Sequence, residues 1–196
     1  ISGEAEAPTA ASLRVGLYRR EGMVHLSALD AAGTDVGTGP QIARVRVAPA
    51  RRTEPQPAQD LDLRFGESVA LEGYGVTHST DGASQTLDVR LYWRRVGPLA
   101  QDWTVFVHLL DEVGNLVAQD DQQPVRGNYP TSYWDMDERV MDGHSLALPA
   151  GLAPGRYFLN VGLYLLGSEE RLPVSGEESR GNYALVGPIT IEGLSP

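Results

Sequence analysis

Apolar and polar residues alternate along most of this chain. In SQTLDVRLYWRR (84–95), Leu87, Val89, Leu91 and Trp93 fall on one face, and Asp88, Arg90, Tyr92 and Arg94 on the other. In GRYFLNVGLYLL (155–166), Tyr157, Leu159, Val161, Leu163 and Leu165 share a face. A period of two belongs to an extended strand with one side buried and the other wet. The pattern recurs at SVALEGYGV (68–76), WTVFVHLL (103–110), HSLALP (144–149) and ALVGPITI (184–191), and N-terminally at SLRVGLYRR (12–20), MVHLSAL (23–29) and QIARVRVA (41–48). The 22 glycines and 13 prolines punctuate these runs. HLLDEVGNLVAQ (108–119) reads as two strands around a turn carrying Asp111, Gly114 and Asn115. Helix is confined to a single turn within 130–140.

Many short strands joined by Gly/Pro turns predict an all-β protein, an antiparallel sandwich of the immunoglobulin or fibronectin type. Pro154 and Gly155 stand just before Tyr157, which opens a buried strand. In such sandwiches a tyrosine at that place returns its hydroxyl to backbone at the inter-sheet corner. Trp93 suits the large aromatic on a central strand. Both are assigned structural roles.

RRTEPQPAQD (51–60) carries two prolines and no alternation, and marks a linker or inter-sheet crossover. The expected organisation is a partial repeat of about three strands over 1–50, a linker over 51–59, and a complete sandwich over 60–193. The repeat rests on LRVGLY from Leu13 and LNVGLY from Leu159, 146 residues apart (159 − 13). It is supported by a strand after Gly-Pro in GTGPQIARVRV (37–47) and within ALVGPITI (184–191). Residues 12–48 would then be the last strands of a sandwich. Three strands cannot enclose a two-sided core, so the segment is expected to pack on the complete sandwich, extend one of its sheets, or complement another chain.

Composition narrows the chemistry. The 196 residues carry a net charge of −10 and no lysine among 16 basic residues, which excludes lysine Schiff bases and argues against a nucleic-acid surface. Cysteine is absent, so there are no disulfides and no thiolate nucleophile or ligand. No apolar run approaches the roughly 20 residues of a membrane span. The chain opens on Ile1 and reads as a piece of something longer; residues 1–11 lack the basic start and apolar core of a signal peptide. His25, His78, His108 and His144 form no HxH or HExxH pair, and zinc needs three or four converging ligands, so no metal and no cofactor is expected. The acidic clusters, among them Asp120/Asp121 and Asp135/Asp137/Glu138, read as turn solvation, and a Ser/His/Asp reading of THSTDGAS fails on geometry. No catalytic residue is assigned.

GNYPTSYWDMD (127–137) is the candidate ligand site. Tyr129, Tyr133 and Trp134 beside polar residues would suit sugar stacking. The other reading makes Trp134 a plug at one end of the sandwich with the tyrosines beside it, and it is favoured because an indole's apolar area usually finds burial.

TVFVHLLD (104–111), YPTS (129–132) with Trp134, and PGRYFLNVGLY (154–164) carry a resemblance. Over about 65–193 the chain resembles the C-terminal sandwich of bacterial multi-pass membrane glycosyltransferases similar to dolichyl-phosphate-mannose-dependent protein mannosyltransferases. The resemblance implies an extracytoplasmic accessory domain without catalytic residues, since the transfer chemistry lies in the membrane portion. Its partners would be glycan or the parent protein's membrane domain. The alternative is a carbohydrate-binding module using the loop aromatics.

Overall fold

The computed structural model describes residues 8–47, 56–82, 84–168 and 170–192. The chain divides into two compact units, 1–50 and 51–196.

The first unit holds β1 (Thr9–Arg14), β2 (Leu17–Arg19), β3 (Val24–Leu26) and β4 (Gln41–Val47). β1 pairs antiparallel with β4, and β2 with β3. SLRVGLYRR, expected as one strand, is therefore two. Ladder pairing lapses at Val15 and Gly16, although Val15 still donates its N–H to Pro40 O at 3.2 Å.

In the second unit the strands are β5 (Gln59–Phe65), β6 (Val69–Asp81), β7 (Ser84–Arg95), β8 (Trp103–Leu110), β9 (Leu116–Gln122), β10 (Arg139–Leu148), β11 (Gly155–Leu165), β12 (Val174–Ser175) and β13 (Ala184–Ile191). They form two antiparallel sheets, ordered β10-β7-β6-β5-β12 and β13-β11-β8-β9. The inner faces of β7 (Leu87, Val89, Leu91, Trp93), β8 (Val105, Val107, Leu109) and β11 (Leu159, Val161, Leu163) join one buried core. Each such side chain contributes about 1.5–3 kcal/mol by leaving water. The predicted β-sandwich is what the chain forms.

At β5 and β10 the boundaries differ from expectation. β5 begins at Gln59, inside the stretch read as linker, because Leu61, Leu63 and Phe65 resume the alternation at once. Residues 51–55 of that linker lie outside the described residues. HSLALP is only the second half of β10, whose first half hides its period behind Asp142. The helical turn expected within 130–140 is the 3₁₀ turn Thr131–Tyr133, but a second 3₁₀ turn, Glu21–Met23, lies outside that range.

Trp93 is buried, edge-on to Phe65 at 5.2 Å between ring centroids. Tyr157 donates its hydroxyl to Ala153 O at 2.7 Å, four residues upstream, tying the start of β11 to the preceding turn.

Backbone pairing relates the two units. Thr9↔Val47, Ala10↔Arg46 and Ala11↔Val45 in the first correspond to Gly155↔Ile191, Arg156↔Thr190 and Tyr157↔Ile189 in the second. Past a one-residue register shift in each, Arg14↔Gln41 corresponds to Asn160↔Leu185. The following hairpins match as Tyr18↔His25 and Tyr164↔Arg171. Then Ala28 N–H donates to Gly37 O, as Val174 N–H does to Gly181 O. The offset is 146 residues through Ala28 (174 − 28) and 144 from Gly37 (181 − 37), so one two-residue length change separates the copies. The Gly-Pro match suggested by the sequence does not hold. Pro40 stands where Ala184 stands, whereas Gly187-Pro188 lies inside β13 at the register shift. Gly16 and Gly162 are equivalent, and each lets another group cross close to the backbone. A Cβ would lie 2.5 Å from Thr38 O in one and 2.2 Å from Phe106 Cζ in the other.

Tyr157→Phe is expected to lower unfolding free energy by about 1 kcal/mol, the net worth of one hydrogen bond. Urea denaturation checks this, and an unchanged midpoint would show that the corner bond contributes nothing.

Candidate functional site

Three arrangements in the second unit bring chemistry-bearing side chains together. The first is the loop between β9 and β10, which holds Tyr129, Tyr133 and Trp134. Tyr129 and Trp134 are fully buried and belong to the core, and Tyr133 is half-buried against it. Trp134 Nε1 donates to Tyr129 O at 3.1 Å. Tyr129 donates its hydroxyl to Glu138 Oε2 at 2.9 Å, and that oxygen also accepts the Asp135 N–H at 2.7 Å. Arg95 Nη1 reaches Trp134 O at 2.6 Å, so the end of β7 holds the loop. Thr131 fixes the other side, donating to Gln101 O at 2.6 Å and accepting the Trp103 N–H at 2.9 Å. The polar tips of Tyr129 and Trp134 are thus satisfied inside the fold, as is usual for a buried tyrosine or tryptophan.

The second arrangement joins the two sheets at one edge. β10 presents Val140, Asp142, His144, Leu146 and Leu148 inward, all buried. His144 lies 3.1 Å from Asp120 Oδ2 through Nδ1 and 3.0 Å from Asp142 Oδ2 through Nε2. Asp120 is on β9, the edge of the other sheet. Gln122 of β9 also donates to Gly143 O at 2.8 Å. The second oxygen of Asp142 accepts the Val125 N–H at 2.8 Å, holding a β-branched residue at φ 55°. Burial pushes the His144 imidazole down, but the hydrogen bonds and charges of Asp142 and Asp120 outweigh it, and its pKa is raised overall. Both ring nitrogens face carboxylate oxygens, which suits an imidazolium donating twice.

Sequence reasoning missed this clamp. Asp142 stands outside the acidic clusters of the sequence, and His144 has no second histidine near it. The available signal was two polar residues on the apolar phase of one strand. Of the other second-unit histidines, His108 pairs on the outer face with Asp121 at 3.0 Å, and His78 pairs at 3.0 Å with Gln85, which is buried on the inward phase of β7.

The third arrangement is a groove of about 300 Å³ on the outer face of the five-stranded sheet. Asp60, Asp62, Glu72, Tyr92, Arg94 and Arg139 line it. Glu72 is its electrostatic centre, 2.5 Å from Arg94 Nε and 2.8 Å from Arg139 Nε. Tyr92 is half-buried beside them. A ring next to a paired carboxylate and guanidinium can stack and hydrogen-bond a polar ring-shaped ligand. Among the described residues, no group of three or more His, Asp and Glu side chains could hold a metal ion.

No family model matches the chain, and no curated protein matches it. Among solved structures it is similar to the C-terminal domain of Wzt, at 12% identity and a TM-score of 0.42, over 70% of this chain and 86% of that one.

His144→Gln leaves Asp142 buried without its cation, and is expected to cost about 3–5 kcal/mol. Since the folded pKa of His144 is raised, its stabilisation is complete below the unfolded value of about 6.5 and is lost as pH climbs through the folded value. Wild-type stability should therefore fall with pH above that point, and the variant should lack this slope. Parallel profiles in denaturation from pH 5 to about 9 would remove the clamp from the account.

Proposed function

We propose that this chain is a non-catalytic accessory β-sandwich, held outside the membrane as part of a membrane-bound glycosyltransferase-like protein. There it positions acceptor or glycan, or stabilises the assembly. One observation carries the non-catalytic part. The constellation closest to acid–base machinery, Asp120–His144–Asp142, has no exposed surface on the His144 or Asp142 side chains. A general base must reach the proton it takes, and this imidazole is sealed between its own carboxylates. Its work is to hold two sheet edges together. The setting rests on the resemblance carried by TVFVHLLD, YPTS with Trp134, and PGRYFLNVGLY.

A cysteine-free chain makes the setting easy to test. Val113 lies on the β8–β9 turn and is 83% exposed. Val113→Cys, placed in the parent protein in intact cells, should react with a membrane-impermeant maleimide. Labelling only after lysis would overturn the extracytoplasmic placement.

Carbohydrate recognition is the second reading, favoured by the open groove with Tyr92, Glu72, Arg94 and Arg139. On a glycan array an accessory domain that only stabilises the assembly expects no saturable binding. Recognition expects binding that Tyr92→Ala abolishes at unchanged melting temperature, while Trp134→Ala, which empties a core position, lowers the melting temperature itself.

A further inference from the structure

The first unit repeats the β11–β13 pairing of the second apart from the place of the register shift, yet among the described residues nothing lies on β1 as β8 lies on β11. In the second unit β11 is paired on both edges, with β13 on one side and β8 on the other. Its inner residues Leu159, Val161 and Leu163 are 0% exposed. The equivalent Leu13, Val15 and Leu17 are 46%, 48% and 70% exposed. Val45 follows suit at 46%, where its counterpart Ile189 is 8%. The edge of β1 that corresponds to the β8 side of β11 has no strand on it among the described residues. The same alternation that seals a core in one copy is open in the other.

We infer that the first unit is an acceptor for a β8-type strand: an extended polypeptide segment with apolar residues at alternate positions. It adds antiparallel to β1 and brings an apolar layer over Leu13, Val15 and Leu17. The complete copy supplies the template for this occupant. There β8 runs antiparallel to β11 in the register Phe158↔Leu110 through Leu165↔Trp103. β8 itself is paired on both edges, with β11 and β9, so it is not free to be the donor. Strand addition of this kind draws affinity from main-chain bonds and specificity from alternate side chains.

The register also sets a size rule. Phe106 faces Gly162 in the ladder, its ring filling the space over that glycine. Over Gly16 the Thr38 carbonyl already occupies the equivalent space. The donor residue opposite Gly16 must therefore be small.

The test uses the full chain with synthetic peptides of the sequence 101–112, one native and one carrying Phe106→Ala. The expected result is saturable binding of the Phe106→Ala peptide, weaker binding of the native one, and slowed amide exchange confined to β1 and β2. Val15→Asp should abolish the binding without moving the melting temperature of the second unit. The peptide pair needs no change in the protein, so the size rule stands or falls even if that variant unfolds the first unit. Absence of binding by either peptide, or tighter binding by the native one, would overturn the proposal. So would a concentration-dependent dimer that protects β1 without peptide, which would make a second copy the occupant. Protection of β1 in the peptide-free monomer would assign the face to the chain's own second unit, and would overturn it equally.

Discussion

Side chains that alternate between oil and water every second residue need an opposing apolar layer, and everything else in this protein depends on that need. In the second unit it is met on all sides. β7 and β11 face each other across one core, each carries neighbours on both edges, and the apolar side chains of β8 complete the layer. The sandwich needs no disulfide because its paired inner faces remove enough surface from water.

Polar groups placed inside that layer then decide where the sandwich closes. His144 and Asp142 take two inward positions of β10 that apolar residues would otherwise fill, and both reach toward β9 or the loop after it. The loop from Gln123 to Asp137 is fixed by a second set of buried bonds around Glu138, Tyr129 and Trp134. Each set is costly if half made, since a buried donor or charge without its partner destabilises the fold. This is why Tyr129, Trp134, Asp142 and His144 lie beyond a ligand's reach, and why the exposed groove around Glu72 and Tyr92 is the better place to look for one.

The sheet layers could be read from the sequence because their signal is local. β7 and β8 coincide with their predicted spans, and the hydroxyl of Tyr157 lies where a corner tyrosine places it. β5 was obscured by the prolines just before it, and the first half of β10 by its buried aspartate. The clamp was harder still, because Asp120 and His144 lie 24 residues apart in the chain and meet only when two sheets do. The repeat showed itself in LRVGLY and LNVGLY, but its true extent lies in the pairing register, to which side-chain identity is nearly indifferent. That indifference let Gly39-Pro40 pose as the counterpart of Gly187-Pro188.

The central claim is that the two units share one strand arrangement, closed in the second and open in the first. Amide hydrogen exchange on the full chain, read at equivalent positions, tests it most directly. Val161 and Leu163 should exchange only through global unfolding of the sandwich, and Val15 and Leu17 through local opening, orders of magnitude faster. Equal protection at the two sets would contradict the account.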